Sequence, residues 1–203
     1  RLPGRPPRPA ADPRGLVAGL AAALPAIHAV DGGAALPAFH RFYDPASLVP
    51  PAWSDLPGLW AQVIEVAAGP PPPGASCLIH RDYHPGNTLW SRGRLVGVVD
   101  WNFASLGSPS VDLGHMRVNL ATDLGREWAD EFLAAYRALT GVDHHPWWDL
   151  AAMVDVLPDW DPAPGPEVDR VEAFVAAALG RLGPDGLVLR QAEASAESKW
   201  KTW

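Results

Sequence analysis

The sequence predicts an α+β fold that is mostly helical, with one small β-hairpin among the helices. Three observations support this prediction. Apolar residues recur at helical spacing over several long segments, two short apolar runs flank the turn residues Arg92-Gly93, and prolines concentrated at positions 1–14, 70–73 and 158–166 separate the segments. Because the chain has 203 residues and 48% of them are hydrophobic, it can bury one core. We therefore expect residues 1–203 to form a single domain.

The first two helices are predicted from their start signals. Asp12-Pro13 combines an N-cap residue with a proline at the first helical position, and this helix would run to about residue 29 with a kink or break near Pro25. Ser54-Asp55 would start a second helix, which ends near residue 68 before the prolines at positions 70–73. Its apolar residues recur on one face.

The β structure is predicted in the middle of the chain. Ser76–Ile79 reads as a buried strand that contains the single cysteine, Cys77, and residues 87–90 and 95–99 read as a hairpin turning at Arg92-Gly93. Four more helices are predicted after the hairpin, over about residues 109–122, 126–139, 146–156 and 166–182. An aromatic and apolar stripe on the second of these is expected to lie in the core; it consists of Trp128, Phe132, Tyr136 and Leu139.

Composition narrows the classes of function and location. The net charge of −7 disfavours a nucleic-acid surface, and no apolar run approaches the roughly 20 residues that span a bilayer. One cysteine cannot form an internal disulfide and suits a reducing compartment. We expect a cytoplasmic protein without a nucleic-acid or membrane partner.

The segment 78–90, together with residues 97–101, carries the chemistry. It places Asp82, then Asn87 five positions later, and then Asp100 at the end of an apolar run. Phosphoryl transfer needs one group that orients the attacking hydroxyl and oxygen ligands that hold Mg²⁺ on a nucleotide. Asp82 suits the first role, and Asn87 and Asp100 suit the second.

The same residues carry a family resemblance. His80-Arg81-Asp82 through Asn87 matches the protein-kinase pattern His-Arg-Asp-x-x-x-x-Asn. More narrowly, His-x-Asp-x-His-Pro-Gly-Asn over residues 80–87, followed by Val99-Asp100-Trp101 and by Val111-Asp-Leu-Gly-His115, resembles the aminoglycoside phosphotransferase family. The resemblance runs from about residue 76 to residue 119.

This resemblance implies the mostly helical C-terminal lobe of a protein-kinase-like fold, with a small β-hairpin carrying the catalytic loop. It implies transfer of the γ-phosphoryl group of ATP (or GTP), with Mg²⁺, to a hydroxyl of a small molecule. Aminoglycosides are the acceptors that name the family, which is associated with antibiotic resistance; related branches act on macrolide, homoserine, choline or sugar-like acceptors.

Other residues of the motif receive supporting roles from the resemblance. His80 is expected to support the catalytic loop, His84 to brace it or to lie near the phosphates, and Asp112 to fix it by accepting hydrogen bonds. His80 could alternatively act as a general base, Asp112 could simply favour a helix N-terminus, and the role of Arg81 stays open. Trp101 is expected to be a packing residue.

The N-terminal lobe of a kinase is not recognisable in this sequence. There is no Gly-x-Gly-x-x-Gly, and the only lysines are Lys199 and Lys201, whereas a kinase places its phosphate-pairing lysine before the catalytic loop. The chain begins at Arg1, which we interpret as a point just past the hinge between lobes. We expect the N-terminal lobe to be a separate partner that makes most nucleotide contacts, and this chain alone to be inactive or nearly so.

The acceptor is expected to meet the later helices and the Gly32–Pro50 region. Six acidic residues there could bind ammonium groups or could be a solvated helix start: Asp155, Asp159, Asp161, Glu167, Asp169 and Glu172. Two other functions remain open. One is an inert small-molecule-binding module, and the other is a zinc hydrolase that uses His80, Asp82, His84 and His115, which would need three or four converging ligands.

Overall fold

Helices form most of the structure and surround a few short strands, as the sequence predicts. The computed structural model describes residues 3–8, 12–30 and 36–199, with side chains as far as residue 183. Parts of two predicted regions, Arg1 at the hinge and Gly32 in the acceptor segment, lie outside these residues, as does Lys201. Within the described residues the elements are α1 (Pro13–His28), α2 (Pro57–Ala68), β1 (Cys77–Ile79), β2 (Thr88–Ser91), β3 (Arg94–Val98), β4 (Ser105–Gly107), α3 (Ser110–Leu124), α4 (Arg126–Thr140), α5 (Trp147–Val156) and α6 (Pro166–Lys199).

The start of α1 follows the predicted signal. The Asp12 carboxylate accepts a hydrogen bond of 3.0 Å from the backbone N–H of Gly15, which satisfies one of the free amides of the first turn. The helix continues through Pro25 to His28, so the chain does not break there. A proline inside a helix removes one backbone hydrogen bond, and the buried face of Leu16, Leu20 and Leu24 compensates for it.

The second helix begins later than predicted. It starts at Pro57, because the Ser54 side chain takes part in a tertiary contact instead of capping a helix. The Ser54 hydroxyl donates a hydrogen bond to the Glu172 carboxylate and accepts one of 3.0 Å from the N–H of Leu56. These bonds hold residues 54–56 as a turn before the helix.

The core lies between the helices. Helix α3 packs against α4, α5 and α6, while α1 packs on α4 and α2 packs on α5. The predicted stripe on α4 is buried at Phe132 and Tyr136 and half-buried at Trp128, but Leu139 is 59% exposed. That part of the prediction was wrong, because the buried section of α4 ends at Tyr136. The predicted end of the last helix near residue 182 coincides with a non-helical Gly183 inside α6.

The strands form two antiparallel pairs. Strands β2 and β3 form the predicted hairpin, whose turn residues Arg92 and Gly93 both have positive φ, 52° and 74°, as a two-residue hairpin turn requires. Strand β1, which was predicted, pairs with β4, which was not. With only three residues, β4 is too short to show the alternation of a strand. At Gly107 of β4, an added Cβ would approach both Ile79 and Phe39 within 2.8 Å, so the close pairing depends on glycine.

The loop between β1 and β2 connects the helical core to the hairpin. It begins with the buried His80 and ends in a short 3₁₀ turn over Pro85–Asn87. Within the described residues, no helix is long and apolar enough to cross a membrane.

Candidate active site

The Asp82 carboxylate lies in this loop and is 27% exposed. Its Oδ1 atom is 3.1 Å from Nε2 of His115 and 3.8 Å from Nε2 of His84, and its Oδ2 atom accepts a hydrogen bond of 2.9 Å from the Asn87 amide. The bond from His115 is the main reason that the pKa of Asp82 falls to about 2, with His84 and Asn87 adding to it and burial opposing it. The carboxylate is therefore ionised at neutral pH and can accept a further hydrogen bond on its exposed side.

Asn87 joins this carboxylate to the hairpin. Its amide nitrogen donates to both the carbonyl and the Oδ2 atom of Asp82, each at 2.9 Å, so the amide oxygen is directed elsewhere. The Asn87 carbonyl accepts a hydrogen bond of 2.9 Å from the N–H of Val99, the residue before Asp100. The structure thus brings Asp82, Asn87 and Asp100 to the same end of the hairpin.

Asp100 stands at a turn in the backbone just after β3. Its φ is 63°, in the left-handed region, where aspartate is tolerated better than most residues. The exposed carboxylate accepts a hydrogen bond of 2.6 Å from Asn102. The other carboxylate oxygen stays available to a ligand on the surface.

Helix α3 holds the backbone of the loop through the side chain of Asp112. The buried carboxylate of Asp112 accepts hydrogen bonds from the N–H groups of His80, at 2.9 Å, and Arg81, at 2.7 Å, and lies 3.1 Å from Nε2 of His28. The ring of His80 is fully buried, with Nε2 2.9 Å from the carbonyl of Val99. Each of these contacts joins the loop to a separate part of the chain.

Trp101 and His84 make further contacts around the loop. The ring centre of Trp101 lies 4.5 Å from that of His80, so Trp101 packs on His80 as predicted. The side chain nevertheless remains 38% exposed to solvent. His84 accepts a hydrogen bond of 3.2 Å from the N–H of Gly86 and so caps the 3₁₀ turn. Burial lowers the pKa of His84, with nearby Asp82 opposing that shift.

The side chain of Arg81 is buried, which answers the question that the sequence left open. Its guanidinium lies 3.4 Å from the Asp155 carboxylate, donates to the carbonyl of His40 and stacks 3.5 Å from the ring centre of Phe42. Its φ of 73° is strained for an arginine, and burial lowers its pKa against the opposing effect of Asp155. Arg81 connects the loop to the segment around residue 40 and to α5.

A cleft of about 360 Å³ opens beside Asp82. One wall is a face of α3, and the opposite wall comes from the end of α5 and the start of α6. Its polar lining consists of Asp82, His84, His115, Asn119, Thr122, Asp123, Asp159 and Glu167. The cleft is large enough for part of a small molecule, with the Asp82 carboxylate at one end.

The six acidic residues predicted to form one cluster are divided in the structure. Asp159 and Glu167 line the cleft, but Asp155 pairs with Arg81 and Glu172 accepts a hydrogen bond from Trp60. The six residues therefore do not act as one group, but Glu167 and Asp169 lie exposed in the first turn of α6, as the alternative of a solvated helix start predicts. A third carboxylate at the rim of the cleft is Asp123.

Among the residues of α3 that border the cleft and were missing from the predicted site, three are spaced by one helical turn: His115, Asn119 and Asp123. They follow one another at intervals of four residues, so they lie on one face of the helix. That polar stripe at helical spacing was a signal present in the sequence.

As for the zinc alternative, the described part of the chain contains no group of three or more His, Cys, Asp or Glu side chains placed to hold a metal ion.

Comparison with protein-family models gives a match over residues 1–150 to the phosphotransferase enzyme family. Comparison with curated proteins gives no match.

Solved structures with the same fold include three phosphotransferases. The macrolide 2′-phosphotransferase of Brachybacterium faecium is 22% identical with a TM-score of 0.54, over 97% of this chain and 67% of its own. A thermostable mutant of aminoglycoside phosphotransferase APH(4)-Ia, bound to ADP and hygromycin B, is 17% identical with a TM-score of 0.58, over 91% and 70%. An amicoumacin kinase, bound to AMP-PNP, Ca²⁺ and its ligand, is 15% identical with a TM-score of 0.54, over 89% and 63%. The chain therefore spans about two thirds of the length of these enzymes, and the likeness establishes a kinase-like fold.

Proposed function

This chain belongs to the phosphotransferase enzyme family, and from that premise we propose that it is the acceptor-binding lobe of a small-molecule kinase. The reaction is transfer of the γ-phosphoryl group of ATP (or GTP) to a hydroxyl. The observation that carries the proposal is the ionised Asp82 carboxylate, held by Asn87 at the end of the hairpin and facing a cleft.

Asp82 is the proposed catalytic residue. An acceptor hydroxyl entering from the cleft would donate a hydrogen bond to the exposed side of the carboxylate, which orients the oxygen toward the phosphorus atom. As the new O–P bond forms and the bond from phosphorus to the nucleotide breaks, the hydroxyl proton passes to Asp82. The low pKa keeps Asp82 unprotonated before the reaction.

Asn87 and Asp100 are the proposed Mg²⁺ ligands. The chemistry fits, because Mg²⁺ prefers hard oxygen donors and takes one or two from the protein. The Asn87 amide turns its nitrogen toward Asp82 and so leaves its oxygen for a metal, and Asp100 has an exposed carboxylate at the same end of the hairpin. The ion would supply the positive charge that neutralises the phosphates of the nucleotide during transfer.

His80, His84 and Asp112 are proposed to support the loop. The hydrogen bonds of Asp112 to two backbone N–H groups, and that of His80 to Val99, fix the segment that carries Asp82. The proposed partner is an N-terminal nucleotide lobe, since the sequence offers no glycine-rich loop and no lysine before residue 199. Without that lobe, the electrostatic stabilisation of the transferring phosphoryl group would be largely lost.

The cleft favours an acceptor that carries amino groups. Its rim holds three carboxylates, Asp123, Asp159 and Glu167, which would attract ammonium groups, and among the described side chains no lysine or arginine lines it. An aminoglycoside-like molecule with a hydroxyl near an ammonium group is the acceptor class that we propose. The alternative, an inert binding module of the same fold, would keep the cleft but not transfer phosphate.

The test is a panel of hydroxyl compounds, with and without amino groups, offered with ATP and Mg²⁺ to the intact gene product. We expect Mg²⁺-dependent formation of a phosphorylated acceptor that Asp82→Ala abolishes. As a matched control, Asp143→Asn removes an exposed carboxylate paired only with Arg137 and should leave turnover unchanged. Ligand binding without any turnover across the panel would support the inert module instead.

A further inference from the structure

We propose that His115 is a positioning residue for phosphoryl transfer: its Nε2–H holds one oxygen of Asp82 while Asn87 holds the other, so that the carboxylate keeps one orientation toward the cleft. This inference rests on the proposed catalytic role of Asp82. The sequence motif did not assign any such role to His115.

The geometry distinguishes His115 from the other histidine nearby. Nε2 of His115 is 3.1 Å from Oδ1 of Asp82, within hydrogen-bond range, whereas Nε2 of His84 is 3.8 Å away. His84 instead uses Nδ1 to cap the 3₁₀ turn. Because Asn87 binds Oδ2, both oxygens of Asp82 are held, and rotation of the carboxylate about its Cβ–Cγ bond would break both hydrogen bonds.

His115 lies on the same face of α3 as Asp112, three residues earlier. Asp112 binds the backbone at the start of the loop, and His115 binds the side chain of Asp82 within it. One helical face therefore sets both the path of the loop and the direction of its carboxylate. Asn119, one turn further along, donates a hydrogen bond of 2.9 Å to the His115 carbonyl and also lines the cleft.

Helix α3 packs tightly against α5, which fixes the position of His115 relative to the loop. At Gly114, beside His115, an added Cβ would come within 2.5 Å of the Trp148 carbonyl of α5, so the two helices touch backbone to backbone. On the next turn, buried Arg117 binds the carboxylate of Asp149, also on α5. The position of the His115 ring is thus determined by the packing of α3 on α5.

The role is positioning and not proton transfer. The acceptor proton goes to Asp82, whose exposed side faces the cleft, while Nε2 of His115 already carries the hydrogen that it donates to Oδ1. His115 keeps that contact with Oδ1 before and after transfer. Its contribution is to keep Asp82 aligned with the incoming hydroxyl, and a misalignment of about 1 Å can lower a rate about 100-fold.

The test compares His115→Ala and His115→Gln in the intact enzyme, because the glutamine amide nitrogen can reach the place of Nε2. We expect His115→Ala to lower kcat about 10- to 100-fold with KM for ATP nearly unchanged, and His115→Gln to recover most of the loss. Leu120→Val, in the buried part of the same helix, should lower the melting temperature without lowering kcat. An unchanged kcat in His115→Ala, or a glutamine variant as impaired as the alanine variant, would overturn the proposal.

A second measurement separates this inference from the proposed function. In a crystal structure of His115→Ala, we expect the Asp82 carboxylate to leave its position beside α3. An unchanged Asp82 would refute the positioning role even if no acceptor is found. Conversely, the wild-type enzyme could be inactive on every acceptor while Asp82 is displaced in His115→Ala. That pair of results would refute the kinase function but support the role of His115 in positioning Asp82.

Discussion

Two aspartates, Asp82 and Asp149, are each bound by a histidine and by further donors, yet their surroundings differ. Asp149 is fully buried, and its carboxylate accepts bonds from His144 at 2.8 Å, from Arg117 at 2.8 and 3.1 Å, and from Arg181 at 2.9 Å. Asp82 is 27% exposed, and its carboxylate accepts hydrogen bonds from His115 and Asn87, with His84 at the longer distance of 3.8 Å.

The difference shows why a low pKa does not by itself identify a reactive carboxylate. Burial opposes the ionisation of Asp149, but His144 and Arg117 hold its pKa well below the usual range, and the pKa of Asp82 is also lowered. Asp149 has both oxygens saturated with donors and no route to solvent, so it can only stabilise the fold. Asp82 lines a cleft, and of the two carboxylates it alone is reachable from that cleft.

The largest expected effect is on turnover at Asp82. Asp82→Asn keeps the shape of the side chain but removes the proton acceptor, so we expect kcat to fall about 10³-fold, while the loss of the ionised contact with His115 lowers the melting temperature only moderately. Steady-state kinetics and thermal unfolding of the same intact enzyme preparation check this. A variant that keeps wild-type turnover would remove the catalytic distinction between the two aspartates.

The opposite pattern is expected at Asp149. Asp149→Asn removes the fully buried one of the two carboxylates that pair with Arg117 and leaves only the partly exposed Asp130. We expect a loss of about 3 kcal/mol of folding free energy, with a much smaller fall in kcat than in Asp82→Asn. Chemical unfolding of the isolated chain measures the first effect. If the variant is as stable as the wild type, the buried network contributes nothing, and the contrast with Asp82 fails.

The pH dependence of stability should reflect both aspartates. A carboxylate whose folded pKa is depressed contributes stability that is complete above its unfolded pKa of about 3.9 and is lost as pH falls through the folded pKa. Stability should therefore decline as pH falls below about 4, for Asp82 over the range down to about 2. Melting temperatures measured from pH 5 to pH 2 should fall less steeply in Asp149→Asn than in the wild type. Parallel curves for the two proteins would contradict the depressed pKa of Asp149.

The smallest effect concerns the rim of the cleft. Asp123→Asn removes one of its three carboxylates, and we expect KM for an amine-bearing acceptor to rise about 3- to 10-fold, because a partly exposed ion pair contributes about 1 kcal/mol. The control is Asp169→Asn, since Asp169 is exposed and does not line the cleft. Equal KM values for both variants would show that the acidic rim does not bind the acceptor.

Prediction from sequence was accurate where the signal is local. The start of α1 is determined by Asp12 and the proline that follows it, and the hairpin turn by Arg92-Gly93, because capping and turn preferences act over three or four residues. The motif from His80 to Asn87 likewise places its side chains within one loop. Strand β4, which pairs Ser105 with Ile79, was missed because its stability comes from a partner distant in the chain.

What the sequence alone determined is the family, the kinase-like fold class and the loop that carries Asp82 and Asn87. Only the tertiary structure decided which remote side chains meet that loop: His115 on the carboxylate, Asp155 on Arg81, and the division of the acidic residues between the cleft and other contacts. The reason is physical. Capping and turn preferences depend on neighbouring residues in the sequence. A contact between residues 82 and 115, in contrast, forms only after α3 has packed on α5.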